Sequence, residues 1–280
     1  MSLVQSLQCR EVTAVSERSG STSESNETPL WGRPRANGWA FFLDVDGTLL
    51  ELAETPDAVR PAPGLLTALA RLESLVGGGM ALVSGRPLRD LDRLFAPRRF
   101  LAAGVHGAEL RLPAGDERRI AIDASALDRV RDAFGGFVLD HPGTLVEDKG
   151  LAITLHFRRR ADAAEDAHQL AVQLSERLGT DFQVLEGKMV VEIRPTGATK
   201  GTAVATFLQC PTFAQRRPVY VGDDITDEDA FRAVNDAEGI SVRVGSSGTT
   251  VATQRLPDVS AVHRWLRDVI AYLEASDGHV

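Results

Sequence analysis

The sequence predicts an α/β fold, a Rossmann-like parallel-sheet core with helices on both faces, plus a smaller α+β cap domain inserted into it. Three observations predict this. Short unbroken apolar runs at 40–43 and 80–83 read as strands covered on both faces. Apolar residues at helical spacing separate and follow them, which is the grammar of a parallel sheet. From about 115 to 195 the pattern changes to alternating strands in tight hairpins, and then the first grammar returns.

Taken in order, residues 1–36 are rich in Ser, Thr, Glu and Asn without an apolar period and read as a disordered tail. The strand at 40–43 is followed by Leu65, Leu66, Leu69, Leu72 and Val76 on a helix, set between Pro63 and Gly77. A strand at 80–83, a short helix with Leu88, Leu91 and Leu94, and a strand at 100–105 complete the first half of the core. In the insert, Leu151, Ile153, Leu155 and Phe157 alternate with Ala152, Thr154, His156 and Arg158, giving one covered and one open face. A helix at 162–178 ends at Gly179, and strands at 182–185 and 188–194 flank the Glu186-Gly187 turn. After Pro195 come a helix at 199–209, a strand at 219–221, a helix at 226–235, a strand at 240–244 and a C-terminal helix. The expected division is tail 1–36, core 37–114 and 196–280, and cap 115–195.

Composition narrows the function. With 31 basic against 39 acidic residues the net charge is −8, which argues against a nucleic-acid or anionic-membrane surface. Two cysteines and scattered histidines give no zinc-ligand spacing. No apolar run reaches the ~18 residues of a membrane span, and no signal pattern opens the chain. A cytoplasmic protein with a small-molecule substrate is expected, its oligomeric state left open.

Four segments carry chemistry. Asp44 and Asp46 lie two apart where the first strand ends, followed by Gly47 and Thr48. Carboxylates at this spacing on extended chain point the same way, and a divalent cation relieves the crowding. The bland alternative is an Asp-Gly turn. Ser84, Gly85 and Arg86 follow the second strand, where a hydroxyl and backbone N–H groups suit a phosphoryl oxygen. A plain helix cap fits Ser84 as well. Lys200 opens a helix against its dipole, although a solvated lysine is the ordinary case. Five acids fall within 223–229 (Asp223, Asp224, Asp227, Glu228, Asp229). Capping by Thr226 and Asp229 explains part of this cluster and leaves Asp223 and Asp224 unexplained, while hard oxygen donors suit magnesium.

In this order the four segments resemble the haloacid dehalogenase-like hydrolases over nearly all of 38–275. The run from Gly222 to Phe231, the segment Val146-Glu147-Asp148-Lys149-Gly150 with Leu155-His156-Phe157-Arg158, the run from Gly187 to Pro195, and Val105-His106-Gly107 resemble the trehalose-6-phosphate phosphatase family. The resemblance implies that Asp44 attacks phosphorus and becomes phosphorylated. It implies that Asp46 protonates the departing sugar oxygen and then activates water. Ser84 and Lys200 would hold phosphoryl oxygens. Mg2+ would be bound by Asp44, Asp46 (through its carbonyl) and Asp223, with Asp224 and Asp227 in support. The expected substrate-facing set is Asp44, Asp46, Thr48, Ser84, Gly85, Arg86 and His106 from the core, with Glu147, Lys149, Lys188, Glu192 and Arg194 from the cap.

The cap residues have their own argument. On an extended strand Lys188, Val190, Glu192 and Arg194 share one face, with Met189, Val191 and Ile193 on the other. If the apolar face packs on the cap helix, the charged one overlooks the crevice, as do Glu147 and Lys149. A solvated charged face is the alternative. The resemblance makes trehalose 6-phosphate the expected substrate, with sucrose or mannosyl phosphates, or a catalytically silent binding subunit, as competing readings. The chain lacks room for the glucosyltransferase domain fused to some relatives, so a stand-alone phosphatase is expected.

Overall fold

The computed structural model describes residues 38–52 and 59–277; the expected tail lies outside them. The parallel core is built from β1 (Trp39–Leu43), α1 (Leu65–Leu75), β2 (Met80–Val83), α2 (Leu88–Leu94) and β3 (Ala102–Gly104), then antiparallel β4 (Glu109–Arg111) and β5 (Glu117–Arg119). The insert contributes α3 (Ala124–Asp140), β6 (Leu145–Asp148), β7 (Ile153–His156), α4 (Ala164–Leu178), β8 (Phe182–Gly187) and β9 (Val190–Pro195). The core resumes with α5 (Lys200–Leu208), β10 (Arg217–Gly222), α6 (Glu228–Asp236), β11 (Ile240–Val244), β12 (Gln254–Leu256) and α7 (Val259–Asp277).

The larger sheet runs β12-β11-β10-β1-β2-β3-β4-β5, parallel from β12 to β3 and antiparallel beyond. Its central strand β1 is buried along its whole length, as its unbroken apolar sequence requires. Ala40 and Phe42 face α5 and α6, where Phe42 stacks on Phe213 at 5.4 Å between ring centres. Trp39 and Phe41 face the opposite layer, where α1 meets α7 and Phe41 meets Trp265 edge-on at 6.1 Å. Burying each such ring stabilises the fold by about 1.5–3 kcal/mol. The sheet thus has helices on both faces. Its order changes direction at β1, and the crevice beyond the carboxyl ends of β1, β2 and β10 is the expected ligand position.

The smaller sheet is antiparallel, in the order β6-β7-β9-β8. Helices α3 and α4 cover one face through Val130, Phe134, Ala167 and Ala171 against Ile153, Leu155, Val191 and Ile193. Across the strands Glu147 is opposite Thr154, and Thr154 is opposite Glu192, so these three share the other face. Both sheets belong to a single unit, Arg33–Val280. The expected core boundary at 114 falls inside the β4–β5 hairpin, and the core sheet continues to Arg119. All three residues of β5 are exposed and read Glu-Arg-Arg, so the strand carries no apolar alternation to reveal it. Among the described residues no helix is long and apolar enough to cross a membrane.

Candidate active site

The segments that carry chemistry converge at one end of the core sheet. β1 delivers Asp44, and Gly47 lets the chain turn back at once. Its φ is +79°, and a Cβ there would lie 2.2 Å from Asp223 Oδ2, so only glycine brings the two acidic loops this close. Lys200 is the first residue of α5, capped by Thr199. Its ammonium is turned back onto Asp44 Oδ1 at 2.6 Å and Asp227 Oδ1 at 2.7 Å, with all three side chains buried. The position against the dipole is therefore offset by two ion pairs, which excludes a solvated lysine.

Asp227 is fully engaged. It accepts from Lys200 and from the Tyr220 hydroxyl at 2.6 Å, and its other oxygen takes the N–H of Asp224 at 2.9 Å. The side chain thus braces Lys200 and closes the turn before α6, rather than merely filling a first helical turn. Thr48 Oγ1 lies 3.2 Å from Asp44 Oδ2 and 3.4 Å from Asp223 Oδ1.

Carboxylate oxygens of Asp44, Asp223 and Asp227 come within 4.8 Å of one another. Burial and the neighbouring Asp227 push Asp44 well above the usual carboxylate range, and the same two causes raise Asp223 to about 6. For Lys200, burial works against the charge but Asp227 and Asp44 outweigh it, so its pKa is raised. Three acids facing one buried ammonium fit a divalent, oxygen-preferring cation, which would relieve the repulsion. Asp224 stands outside this cluster: it is exposed, and its carbonyl accepts from Arg243 at 2.9 Å.

Asp46 is held by a two-pronged pair with Arg86, at 2.6 Å from Nε and 2.7 Å from Nη2. Ser84 ends β2 and accepts the Arg86 N–H at 3.1 Å. It does not cap α2. The capping position is Pro87, and the N–H of Leu88 is met by Glu109 Oε2 at 2.7 Å.

A cavity of about 600 Å3 opens from this cluster toward the cap, within the range of small-ligand sites. Its core wall holds Asp44, Asp46, Ser84, Gly85, Arg86, His106, Lys200, Asp223 and Asp224. Its cap wall holds Glu147, Lys149, Lys188 and Glu192, together with Thr154, His156, Arg158 and Glu186. Glu192 Oε2 accepts from Lys149 at 2.5 Å and from Thr154 at 2.6 Å. Burial opposes its charge, but Lys149 and His106 outweigh burial and hold the carboxyl at about 2. Glu147 pairs with His156 at 2.8 Å, which keeps its carboxyl low despite burial.

Two residues of the expected substrate-facing set are placed elsewhere, whereas Asp227 joins Asp44 and Asp223 as expected. Thr48 sits behind Asp44, off the cavity wall. Arg194 is also off it, buried where β9 returns to the core. Thr154, His156 and Arg158 join the site without having been assigned to it, although they form the open face already read from the sequence. Tyr220 and Arg243 had no sequence signal, since a tyrosine in a buried strand and an arginine in the next one are ordinary.

The trehalose-phosphatase family model matches residues 42–260. The chain belongs to this family. It is 44% identical over 237 residues to a probable trehalose-phosphate phosphatase of Sinorhizobium fredii, covering 85% of this chain and 88% of the relative. It is 39% identical over 248 residues to the trehalose-6-phosphate phosphatase of Escherichia coli, covering 88% and 92%. Among solved structures, the C-terminal domain of the Candida albicans trehalose-6-phosphate phosphatase superposes with a TM-score of 0.72 at 25% identity, over 87% of this chain and 94% of that one. The family match spans every core segment from Asp44 to Asp227, and so includes the whole carboxylate–lysine cluster.

Proposed function

We propose that this chain hydrolyses trehalose 6-phosphate to trehalose and phosphate through a phosphorylated Asp44, with Mg2+ as cofactor. The observation that carries the reading is the facing of two walls. Asp44 is held by Lys200 at one side of the cavity, and hydrogen-bonded acid–base pairs from the cap stand at the other. The first wall suits a phosphoryl group. The second offers donors and acceptors to a polyhydroxylated leaving group. Family membership and the named relatives support this substrate.

Phosphoryl transfer demands positioning and charge neutralisation. Asp44 and Asp223, with the Asp46 carbonyl, would hold the cation, which when bound neutralises phosphoryl charge. Lys200 fixes the Asp44 carboxylate and draws in a phosphoryl oxygen, aided by Ser84. Asp44 attacks phosphorus while the bond to the sugar oxygen breaks and Asp46 gives that oxygen a proton. Asp46 then takes a proton from water, which attacks the aspartyl phosphate, releases phosphate and restores Asp44. Arg86 occupies both carboxylate oxygens of Asp46, so this pair must open for the carboxyl to reach the leaving oxygen.

A substrate panel tests the reading. Phosphate release from trehalose 6-phosphate should exceed that from sucrose and mannosyl phosphates under the same conditions. Equal or greater turnover of either competitor would assign the site to another sugar phosphate.

A further inference from the structure

We propose that His106 is a positioning residue, a strut from the phosphate-side loop to the cap carboxylate Glu192, and so a determinant of selectivity for the sugar. The inference rests on the sugar-phosphate reading above.

The imidazole is wedged between the two halves of the cavity. On the core side it lies over Gly85, where an added Cβ would come within 2.7 Å of both Cε1 and Nε2. On the cap side Nε2 is 3.5 Å from Glu192 Oε1. The other carboxylate oxygen is already taken by Lys149 and Thr154, whereas Glu192 Oε1 and His106 Nδ1 are buried without a hydrogen-bond partner among the described residues. Buried polar atoms are rarely left so, and those that are call for a functional explanation. A sugar hydroxyl, at once donor and acceptor, is the chemistry that suits Oε1.

The backbone is bent to aim this ring. Val105 has φ 46° and His106 φ 55°, both in the left-handed region that side-chain-bearing residues avoid. The turn is tied to the phosphate side by His106 N–H to the Ser84 carbonyl at 2.9 Å and Val105 N–H to the Arg86 carbonyl at 3.0 Å. Strain of this kind persists where the surroundings over-determine it, commonly at ligand sites. Burial lowers the His106 pKa to about 3, so the ring faces Glu192 as a neutral group. A segment fixed to the phosphate loop thereby sets where the cap carboxylate stands.

The test uses the full chain in Mg2+. kcat/KM is measured for trehalose 6-phosphate and for p-nitrophenyl phosphate, which carries no sugar. His106→Ala should lose about tenfold or more on the sugar substrate relative to the generic one, the scale of one hydrogen bond to a charged group. The loss should fall mainly on KM. His106→Gln, which restores a donor near the position of Nε2, should recover part of it. In a Glu192→Ala background, His106→Ala should add less than about threefold, because both act through one carboxylate. Equal losses on both substrates, or multiplicative losses in the double variant, would overturn the inference. If His106→Ala melts below the assay temperature, His106→Leu, which keeps bulk over Gly85 without a polar atom, and its double variant with Glu192→Ala supply the same cycle. A wild-type chain that turns over p-nitrophenyl phosphate but not trehalose 6-phosphate overturns the sugar-phosphate reading itself, and the inference with it.

Discussion

Lys200 Nζ lies 2.6 Å from Asp44 Oδ1, although the two residues are 156 positions apart. Two separate strand–helix units of the core must therefore dock before the site exists. The ammonium also touches Asp227, whose remaining bonds run to Tyr220 and the backbone of Asp224. This places the positive charge of the site on a rigid mount.

Replacing Lys200 by Met keeps much of the side-chain length and removes the charge. Activity should fall at least a hundredfold, by analogy with removing a preorganised charge at a reacting centre. The variant should also be less stable by about 3–5 kcal/mol, because breaking a buried pair leaves carboxylates uncompensated. Denaturant unfolding checks the second effect, and added Mg2+ should restore part of it.

The raised carboxyl groups give a signed pH dependence. Asp223 is held near 6, above the ordinary aspartate value of 3.8, because burial and Asp227 disfavour the charged form. The native state therefore holds this proton more tightly than the unfolded chain does. Its contribution to stability is present below 3.8 and is lost as pH rises through about 6. A bound cation reverses the penalty on the ionised form. In thermal melts, saturating Mg2+ should raise Tm more at pH 7.5 than at pH 5. A shift of equal size at both values would contradict the carboxylate site.

On the cap, Lys149 supplies both a donor to the cavity and the counter-charge of Glu192. Lys149→Ala should lower kcat/KM for trehalose 6-phosphate by about tenfold to a hundredfold, the worth of a charged hydrogen bond. Hydrolysis of p-nitrophenyl phosphate should fall by much less, since that ester does not reach the cap wall. The ratio of the two substrates, wild type against variant, is the measurement.

The core motifs were legible because chemistry sits where continuous apolar strands stop, and strand ends are visible in sequence. Alternation identified the face of β9 that carries Glu192, but a face has no depth. Arg194 lies two residues further along, beyond the end of the cavity. Thr154 and His156 were visible as an open face, yet nothing in β7 itself says that another domain lies opposite. Helix α3 went unread. Gly135 and Gly136 interrupt its propensity, although Val130, Phe134 and Phe137 keep helical spacing and Asp123 caps it. The Arg86–Asp46 pair could not be read at all, because it depends on two loops from different strands meeting in space.

The central claim is that Asp44 is the group that takes the phosphoryl from trehalose 6-phosphate. Asp44→Asn keeps the shape and removes the proposed attacking charge and one of the proposed metal ligands. The direct measurement is phosphate release from trehalose 6-phosphate by wild type and Asp44→Asn, each with Mg2+ and with excess chelator. Wild type should turn over in Mg2+ and stop in chelator, and Asp44→Asn in Mg2+ should run several orders of magnitude below wild type. Retention of even a tenth of wild-type turnover by Asp44→Asn would contradict the account.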